Sequence, residues 1–273
     1  MLQHPVWSKL IGPLTWGRLG RSLLFIYGAI ALYAFFFSDR LIFQPPPASY
    51  VANANLIKIP SAEGVAIAAT YLRNPQARYT LLYSHGNAED LGYIYPILQD
   101  LQAAGFSVFA YDYRSYGLSE GRATEGNAYR DIRAAYRYLT ETLKVPPEQI
   151  ILHGRSVGSG PSVDLAREVP VAGLILESAF TSAFVVMTQV PLFPFDKFSN
   201  LAKIRRVECP VLVIHGTEDE LIPLRHGERL LAKAPGPTQF LWVEGAGHND
   251  LVAVAGDRYW KAIQAFAATL PTP

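Results

Sequence analysis

The pentapeptide Gly154-Arg155-Ser156-Val157-Gly158 constrains this chain most, because it lies between the apolar run Ile150-Ile151-Leu152 and a stretch of small residues that starts a helix. A strand that turns at once into a helix brings two backbones into close approach, and glycine at 154 and 158 removes the side chains that would collide there. Such a turn leaves the Ser156 hydroxyl exposed above a sheet, as a nucleophile requires. Gly160 and Pro161 follow in the first helical turn, where proline is tolerated. The plain alternative is a glycine-rich turn with an incidental serine, and it weakens as partners for the serine are found downstream.

Short apolar runs of strand length recur at residues 80–84, 106–111, 149–153, 171–176, 210–215 and 239–243. Helix-like stretches lie between or beyond them at 90–104, 126–143, 159–168, 224–233 and 256–270. This alternation predicts an α/β fold, a mostly parallel buried sheet with helices on both faces. Residues 56–60 and 65–72, separated around Glu63-Gly64, predict an antiparallel hairpin at the sheet edge. A length of 273 residues suits one such domain, expected over residues 49–273.

Residues 179–204 break the alternation with an aromatic-rich segment that Pro191 and Pro194 keep from forming one helix. It reads as a small cap. Following a strand, it offers an acyl-chain surface with Phe180, Phe184 and Phe193 as candidate substrate contacts, or else ordinary packing over the domain's own core. Both readings stay open at this point.

The amino-terminal 48 residues differ from the rest. Residues 23–37 are all apolar, aromatic or glycine, and Ser22 and Ser38 extend the stretch to 17, the lower bound for crossing a bilayer. Trp7, Trp16, Tyr33 and Phe35 to Phe37 supply interfacial aromatics, and Lys9, Arg18 and Arg21 precede the stretch while Asp39 and Arg40 cancel beyond it. That bias predicts a single-pass membrane helix with a cytoplasmic amino terminus and an extracytoplasmic catalytic domain. A cleaved signal peptide ending near Ala29-Ile30-Ala31 is the rival, but cleavage there would leave Phe35 to Phe37 exposed. The near absence of a polar face argues against a helix lying flat on the membrane. Pro45-Pro46-Pro47 then predicts a stiff spacer ahead of the domain.

A net charge of +1 with 17% charged residues gives no electrostatic case for nucleic acid as a partner. Cys209 stands alone before Pro210 and an apolar run, so an intrachain disulfide and a thiolate metal site are excluded, and a buried, inert thiol is expected. His4, His85, His153, His215, His226 and His248 lack ligand spacing, and no glycine-rich phosphate loop occurs, so neither metal nor cofactor is expected. Oligomeric state is not legible.

A serine hydroxyl is a weak nucleophile until a base takes its proton, and that base needs a carboxylate to fix its tautomer. Asp219 lies just beyond the run 210–215, where catalytic groups gather at the carboxyl ends of parallel strands, and is the expected acid. Glu218 is its neighbouring competitor and Glu177 a third choice. His248 lies in a loop with Gly245 and Gly247 that can carry an imidazole over the serine, and is the expected base. His153 and His215 end strands and are expected to pack inside, whereas His226 falls on an expected surface helix. The oxyanion would take hydrogen bonds from the backbone N–H of Val157, after the nucleophile, and of Asn87, in the His85-Gly86-Asn87 loop after the run 80–84. Asp112 and Arg114 are read as loop anchors.

Ser84-His85-Gly86-Asn87-Ala88-Glu89-Asp90-Leu91-Gly92, Tyr111-Asp112-Tyr113 with Tyr116-Gly117, His215-Gly216-Thr217-Glu218-Asp219-Glu220 and the block from Trp242 to Asp250 resemble the alpha/beta-hydrolase-domain 17 palmitoyl-protein thioesterases and their bacterial relatives. The likeness covers nearly everything from about residue 49 onward. It implies the alpha/beta-hydrolase fold, with Ser156, Asp219 and His248 in the triad positions and hydrolysis of acyl esters or thioesters through an acyl-enzyme. The chain departs from those thioesterases in having no cysteine before Cys209 and an apolar helix where they carry a lipidated cysteine-rich amino terminus. That departure shifts the expected substrate from a palmitoylated protein toward a lipid or small ester. A serine aminopeptidase-type peptidase on the same fold and a non-catalytic binding protein are the competing readings.

Overall fold

The computed structural model describes residues 15–271, so His4, Trp7 and Lys9 of the sequence reading lie outside the described residues. Helix α1 (Trp16–Ile42) contains the expected apolar stretch and extends it to 27 residues. Arg18, Arg21, Asp39 and Arg40 limit the apolar span, yet charged side chains are tolerated in a helix, which therefore runs past them at both ends. At ~1.5 Å per residue the helix is ~40 Å long, against ~30 Å for a bilayer's hydrocarbon core. The mean hydropathy of its most apolar window is 1.6, and none of that window is buried. By length and composition it can cross a membrane.

A second compact unit begins at Ile42. Its centre is an eight-stranded sheet: β1 (Ile57–Pro60), β2 (Ala66–Leu72), β3 (Thr80–Ser84), β4 (Ser107–Tyr111), β5 (Ile150–Arg155), β6 (Gly173–Glu177), β7 (Val211–Gly216) and β8 (Thr238–Val243). The spatial order is β1-β2-β4-β3-β5-β6-β7-β8. β2 runs antiparallel to both β1 and β4, and every other pair is parallel. The fold is thus the expected alpha/beta-hydrolase architecture with its antiparallel edge.

Side chains alternate across this sheet with the period of two that a strand imposes. Leu82, Leu152, Leu174 and Val213 enter one core, with Ile132 and Leu139 beside them; Leu81, Ile151, Ile175 and Leu212 enter the other, with Leu98, Leu101, Ile263 and Phe266. Hence α2 (Tyr95–Ala103) and the last helix, α9 (Asp257–Thr269), cover one face. α3 (Glu125–Arg137) and α4 (Ser159–Ala166) cover the opposite one. Because the central strands are buried on both sides, they read as continuous apolar runs.

Helix ends differ from expectation where side chains capture the backbone. α2 starts at Tyr95 rather than at 90, because the Leu91 N–H donates to Asp112 (2.9 Å) and the Tyr93 N–H to Asp90 (2.9 Å), and Pro96 then opens the helix. α3 begins with the Thr124 hydroxyl accepting from the Asn127 N–H at 3.1 Å and gives way after Arg137 to a wider turn, Tyr138–Thr142. The 179–204 segment holds two short helices, α5 (Ala183–Thr188) and α6 (Asn200–Lys203). α7 (Arg225–Leu231) follows β7, and α8 (Leu251–Ala255) lies ahead of α9.

The domain's packing starts earlier than residue 49. Phe43 is buried, and the Gln44 N–H bonds to Asn87, so part of the expected spacer belongs to the domain.

Candidate active site

The site lies at the carboxyl ends of β3 and β5. The chain winds from β3 toward β4 on one side and from β5 toward β8 on the other, so the loops leaving β3 and β5 diverge and open a crevice at this switch point. Ser84 and Gly154 are register partners there. Ser156 occupies the left-handed region at φ 51, a conformation that a non-glycine residue adopts only where its surroundings enforce it. Those surroundings are visible in the glycines: a Cβ on Gly158 would lie 2.0 Å from the Ser84 carbonyl oxygen, and one on Gly154 would lie 2.5 Å from that of Gly158.

His248 and Asp219 converge on this serine. The His248 Nε2 lies 3.1 Å from the Ser156 Oγ, and its Nδ1 lies 2.8 Å from the Asp219 Oδ2. The Asp219 Oδ1 also accepts the Ile222 N–H at 2.7 Å. The strand end carrying the acid and the histidine loop are held close, since a Cβ on Gly216 would meet the Ala246 oxygen at 2.2 Å. Gly245 takes the left-handed φ of 74 that the loop requires, and the Gly247 N–H donates to Asp250 at 2.7 Å. Burial pushes the Asp219 carboxyl up, but hydrogen bonds from His215, His248 and the Ile222 N–H outweigh it and hold the group well below the usual carboxylate range. An ionised Asp219 fixes the proton on Nδ1 and leaves the Nε2 lone pair facing the serine.

The competing acids are separated by this geometry. Glu218 is exposed, whereas Glu177 is buried at the end of β6 and bonds His153 (3.1 Å) and the Tyr259 hydroxyl (2.7 Å). His153 and His215 are buried as expected, the latter 2.7 Å from the Ile222 oxygen. His226 corrects the sequence reading. It is 1% exposed, with Nδ1 2.9 Å from the Thr181 hydroxyl, so it packs α7 against the base of the cap. Burial first, then the charges of Arg225, lower its pKa to about 4. Cys209 is partly buried, and burial pushes its thiol up to about 12, the inert state expected.

Val157 follows the nucleophile in the short turn Ser156–Gly158 ahead of α4, and Asn87 lies in the neighbouring loop after β3. That loop is densely bonded. The Gly86 N–H donates to Glu89 (2.7 Å), the Tyr113 hydroxyl to the His85 oxygen (2.8 Å), and His85 lies 3.4 Å from Asp112. Asp112 also accepts the Tyr50 hydroxyl, and Arg114 lies 3.1 Å from Asp131 and 3.0 Å from Glu63, so both act as loop anchors.

Sequence reasoning missed Arg155. Its guanidinium bonds Glu89 of the loop after β3, approaches Glu177 at 3.3 Å, and reaches the His248 carbonyl (3.4 Å) and the Asn249 side chain (3.3 Å). One largely buried cation thus ties the nucleophile turn to the loop after β3, the end of β6 and the histidine loop. The available signal was a charge beside an apolar strand, since a buried charge demands partners. Burial lowers its pKa, but Glu89 and Glu177 more than compensate and keep it charged.

A cleft of about 290 Å³ opens beside His248, walled by Tyr93, Ile94, Pro96, Ile97, Leu251 and Val252 with Arg155 and Glu89 among its polar residues. None of the three cap phenylalanines lines it. Phe180 is 4% exposed and packs edge-on against Phe198 in the core, which corrects its reading as a cap surface. Phe184 and Phe193 meet edge to face at 5.7 Å within the cap. Among the described residues no group of three or more metal-ligating side chains converges.

The protein-family model described as "Serine aminopeptidase, S33" matches residues 75–203. Alpha/beta hydrolase domain-containing protein 17B of Homo sapiens is 44% identical over 195 residues, 70% of this chain and 68% of that protein. The protein of the same name in Xenopus laevis is 42% identical over 212 residues, 76% of this chain and 73% of that one. A solved esterase of Pyrococcus furiosus superposes with a TM-score of 0.71 at 20% identity, covering 83% of this chain and 99% of the other. The esterase RhEst1 of a Rhodococcus species gives 0.65 at 20% identity, over 80% and 100% of the two chains.

Proposed function

Since the chain belongs to the alpha/beta-hydrolase-domain 17 family of alpha/beta hydrolases, we propose that it is a membrane-anchored serine hydrolase that cleaves acyl esters or thioesters through an acyl-enzyme. The observation that carries this reading is the continuous chain Ser156–His248–Asp219, at 3.1 and 2.8 Å, built on a strained turn. His248 Nε2 takes the proton as the Ser156 Oγ attacks the acyl carbonyl, and Asp219 stabilises the imidazolium that forms. The tetrahedral oxyanion accepts hydrogen bonds from the backbone N–H groups of Val157 and Asn87. His248 then protonates the departing alcohol or thiol, and the same base activates water to release the acid. The cleft beside His248 takes the acyl chain, and the cap face at Phe184 and Phe193 adds a minor contact to the far end of a longer one.

Helix α1 serves as the anchor in this reading, with Arg18 and Arg21 on its cytoplasmic side and the hydrolase beyond the membrane. A bilayer-tethered catalyst meets lipid esters at high local concentration, which suits an acyl ester, thioester or lipid substrate.

Turnover of p-nitrophenyl esters of graded acyl length tests the proposal. Wild-type activity that Ser156→Ala removes is expected, and a folded protein with no turnover would sink the reading. A peptidase is the second reading, favoured by the aminopeptidase description of the matching family model, whose matched residues stop before Asp219 and His248. Aminoacyl p-nitroanilides separate the two. Preference for these amides over the esters would select the peptidase.

A further inference from the structure

The chain from the last residue of helix α1 to the three prolines touches the oxyanion loop in three successive ways. The Ile42 carbonyl accepts the Asn87 side-chain amide at 2.7 Å. The Phe43 ring, 5% exposed, lies edge-on to Tyr113 and Tyr116, both at 6.4 Å. The Gln44 N–H is shared between the Asn87 Oδ1 and the Tyr116 hydroxyl, each at 3.0 Å, and that hydroxyl itself donates to the Asn87 Oδ1.

Both tyrosines packed on Phe43 hold this loop, Tyr113 through the His85 carbonyl and Tyr116 through Asn87. Every polar end of the Asn87 side chain is therefore fixed by, or together with, residues 42 to 44. A side chain clamped at both its donor and its acceptor cannot rotate without breaking several bonds, so the backbone unit that carries it is held in one orientation.

Resting on the oxyanion role proposed for Asn87, we infer that Ile42, Phe43 and Gln44 form a positioning element of the active site. Through the Asn87 side chain they set the direction of the Asn87 backbone N–H. The residues that connect the apolar helix to the domain are, in this account, part of the hydrolytic machinery.

The test uses the full chain. Asn87→Ala keeps the backbone N–H but removes all three side-chain bonds, Gln44→Pro removes the N–H that Asn87 and Tyr116 share, and Tyr116→Phe removes a single hydroxyl. Loss of a whole oxyanion donor costs about 10²–10³-fold in kcat, so misdirecting one should cost about 10–100-fold for the first two variants and about 3–10-fold for the third. KM should stay within about threefold, since ground-state binding does not use the oxyanion geometry. The affinity of an acyl trifluoromethyl ketone, which forms an oxyanion on the serine, should fall in step with kcat/KM, while binding of the free fatty acid should not.

Folded variants with wild-type kcat would overturn the inference, as would a fall in kcat with no change in trifluoromethyl ketone affinity. Tyr116→Phe leaves the bonds of Asn87 to Ile42 and Gln44 in place and keeps the test decisive if the other two variants unfold. Ester turnover in the wild type that Ser156→Ala abolishes, combined with unimpaired variants, refutes the inference alone. No turnover in the wild type overturns the hydrolase reading, and this inference with it.

Discussion

The carboxyl edge of the sheet and the cap above residue 179 are both rich in unusual residues, yet they are held together differently. At the sheet edge the constraints are steric and electrostatic: Gly158 has no room for a methyl group beside Ser84, and Arg155 is bonded by groups from two loops and the end of β6. In the cap, aromatic rings meet each other while Met187 (81%), Val190 (51%) and Leu192 (51%) remain exposed. The first region tolerates almost no change in shape. The second exposes apolar surface, which suits contact with apolar ligands or lipid.

Substitutions put numbers on this contrast. The largest effect on stability should come from Gly158→Ala, whose Cβ has the backbone of Ser84 and His85 in its way. A loss above about 3 kcal/mol is expected in a denaturant melt, because a backbone collision cannot be relieved by a rotamer change. Gly126→Ala, with nothing within 4 Å of the new methyl, should instead be neutral or slightly stabilising.

Next comes Arg155→Met, which strands the buried carboxylates of Glu89 and Glu177. A loss of about 3 kcal/mol is expected, with a fall in kcat greater than any rise in KM, since the His248 loop loses a tie. Equal stability of Arg155→Met and wild type would remove the brace from the account.

Acidification should expose the same region. Burial raises the Glu177 carboxyl, but His153, Arg155 and Tyr259 outweigh it and bring its pKa down from 4.5 to about 2. A depressed carboxylate contributes stability that is complete above its unfolded value and is lost as pH falls toward its folded one. Stability should therefore decline from about pH 4.5 downward, and less steeply in Glu177→Gln. His226, lowered to about 4, acts in the same direction between its ordinary value of 6.5 and that pH, because the unfolded chain takes up the proton first. Melting temperatures across this range measure both slopes.

The smallest effect should be that of Phe193→Ala. Its ring is only partly buried, so the expected loss is about 1 kcal/mol, with less than about a threefold change in the preference for long over short acyl chains. A tenfold change would make the cap, not the cleft at His248, the main determinant of chain length.

The same contrast explains what was legible in the sequence. The convergence of Ser156, Asp219 and His248 could be read because each sits just after a strand whose apolar run is unmistakable, and sheet topology then brings those strand ends together. The strands themselves were legible because burial on both faces makes them continuous. His226 was misplaced because a helix of seven residues gives too little periodicity to tell its buried face. Phe180 and Phe184 are close in sequence, but only tertiary packing sends one into the core and leaves the other in the cap. Phe43 went unread for the opposite reason, as three prolines beside it signal a spacer, and nothing local shows that a ring pocket between Tyr113 and Tyr116 awaits it.

The central claim is that one activated hydroxyl sits at residue 156. Reaction of the full chain with a fluorophosphonate, read by intact mass and peptide mapping, measures this directly. The account predicts one adduct per chain on Ser156, lost when His248 is replaced by alanine. A folded chain that stays unlabelled, or labels at another residue, would contradict it.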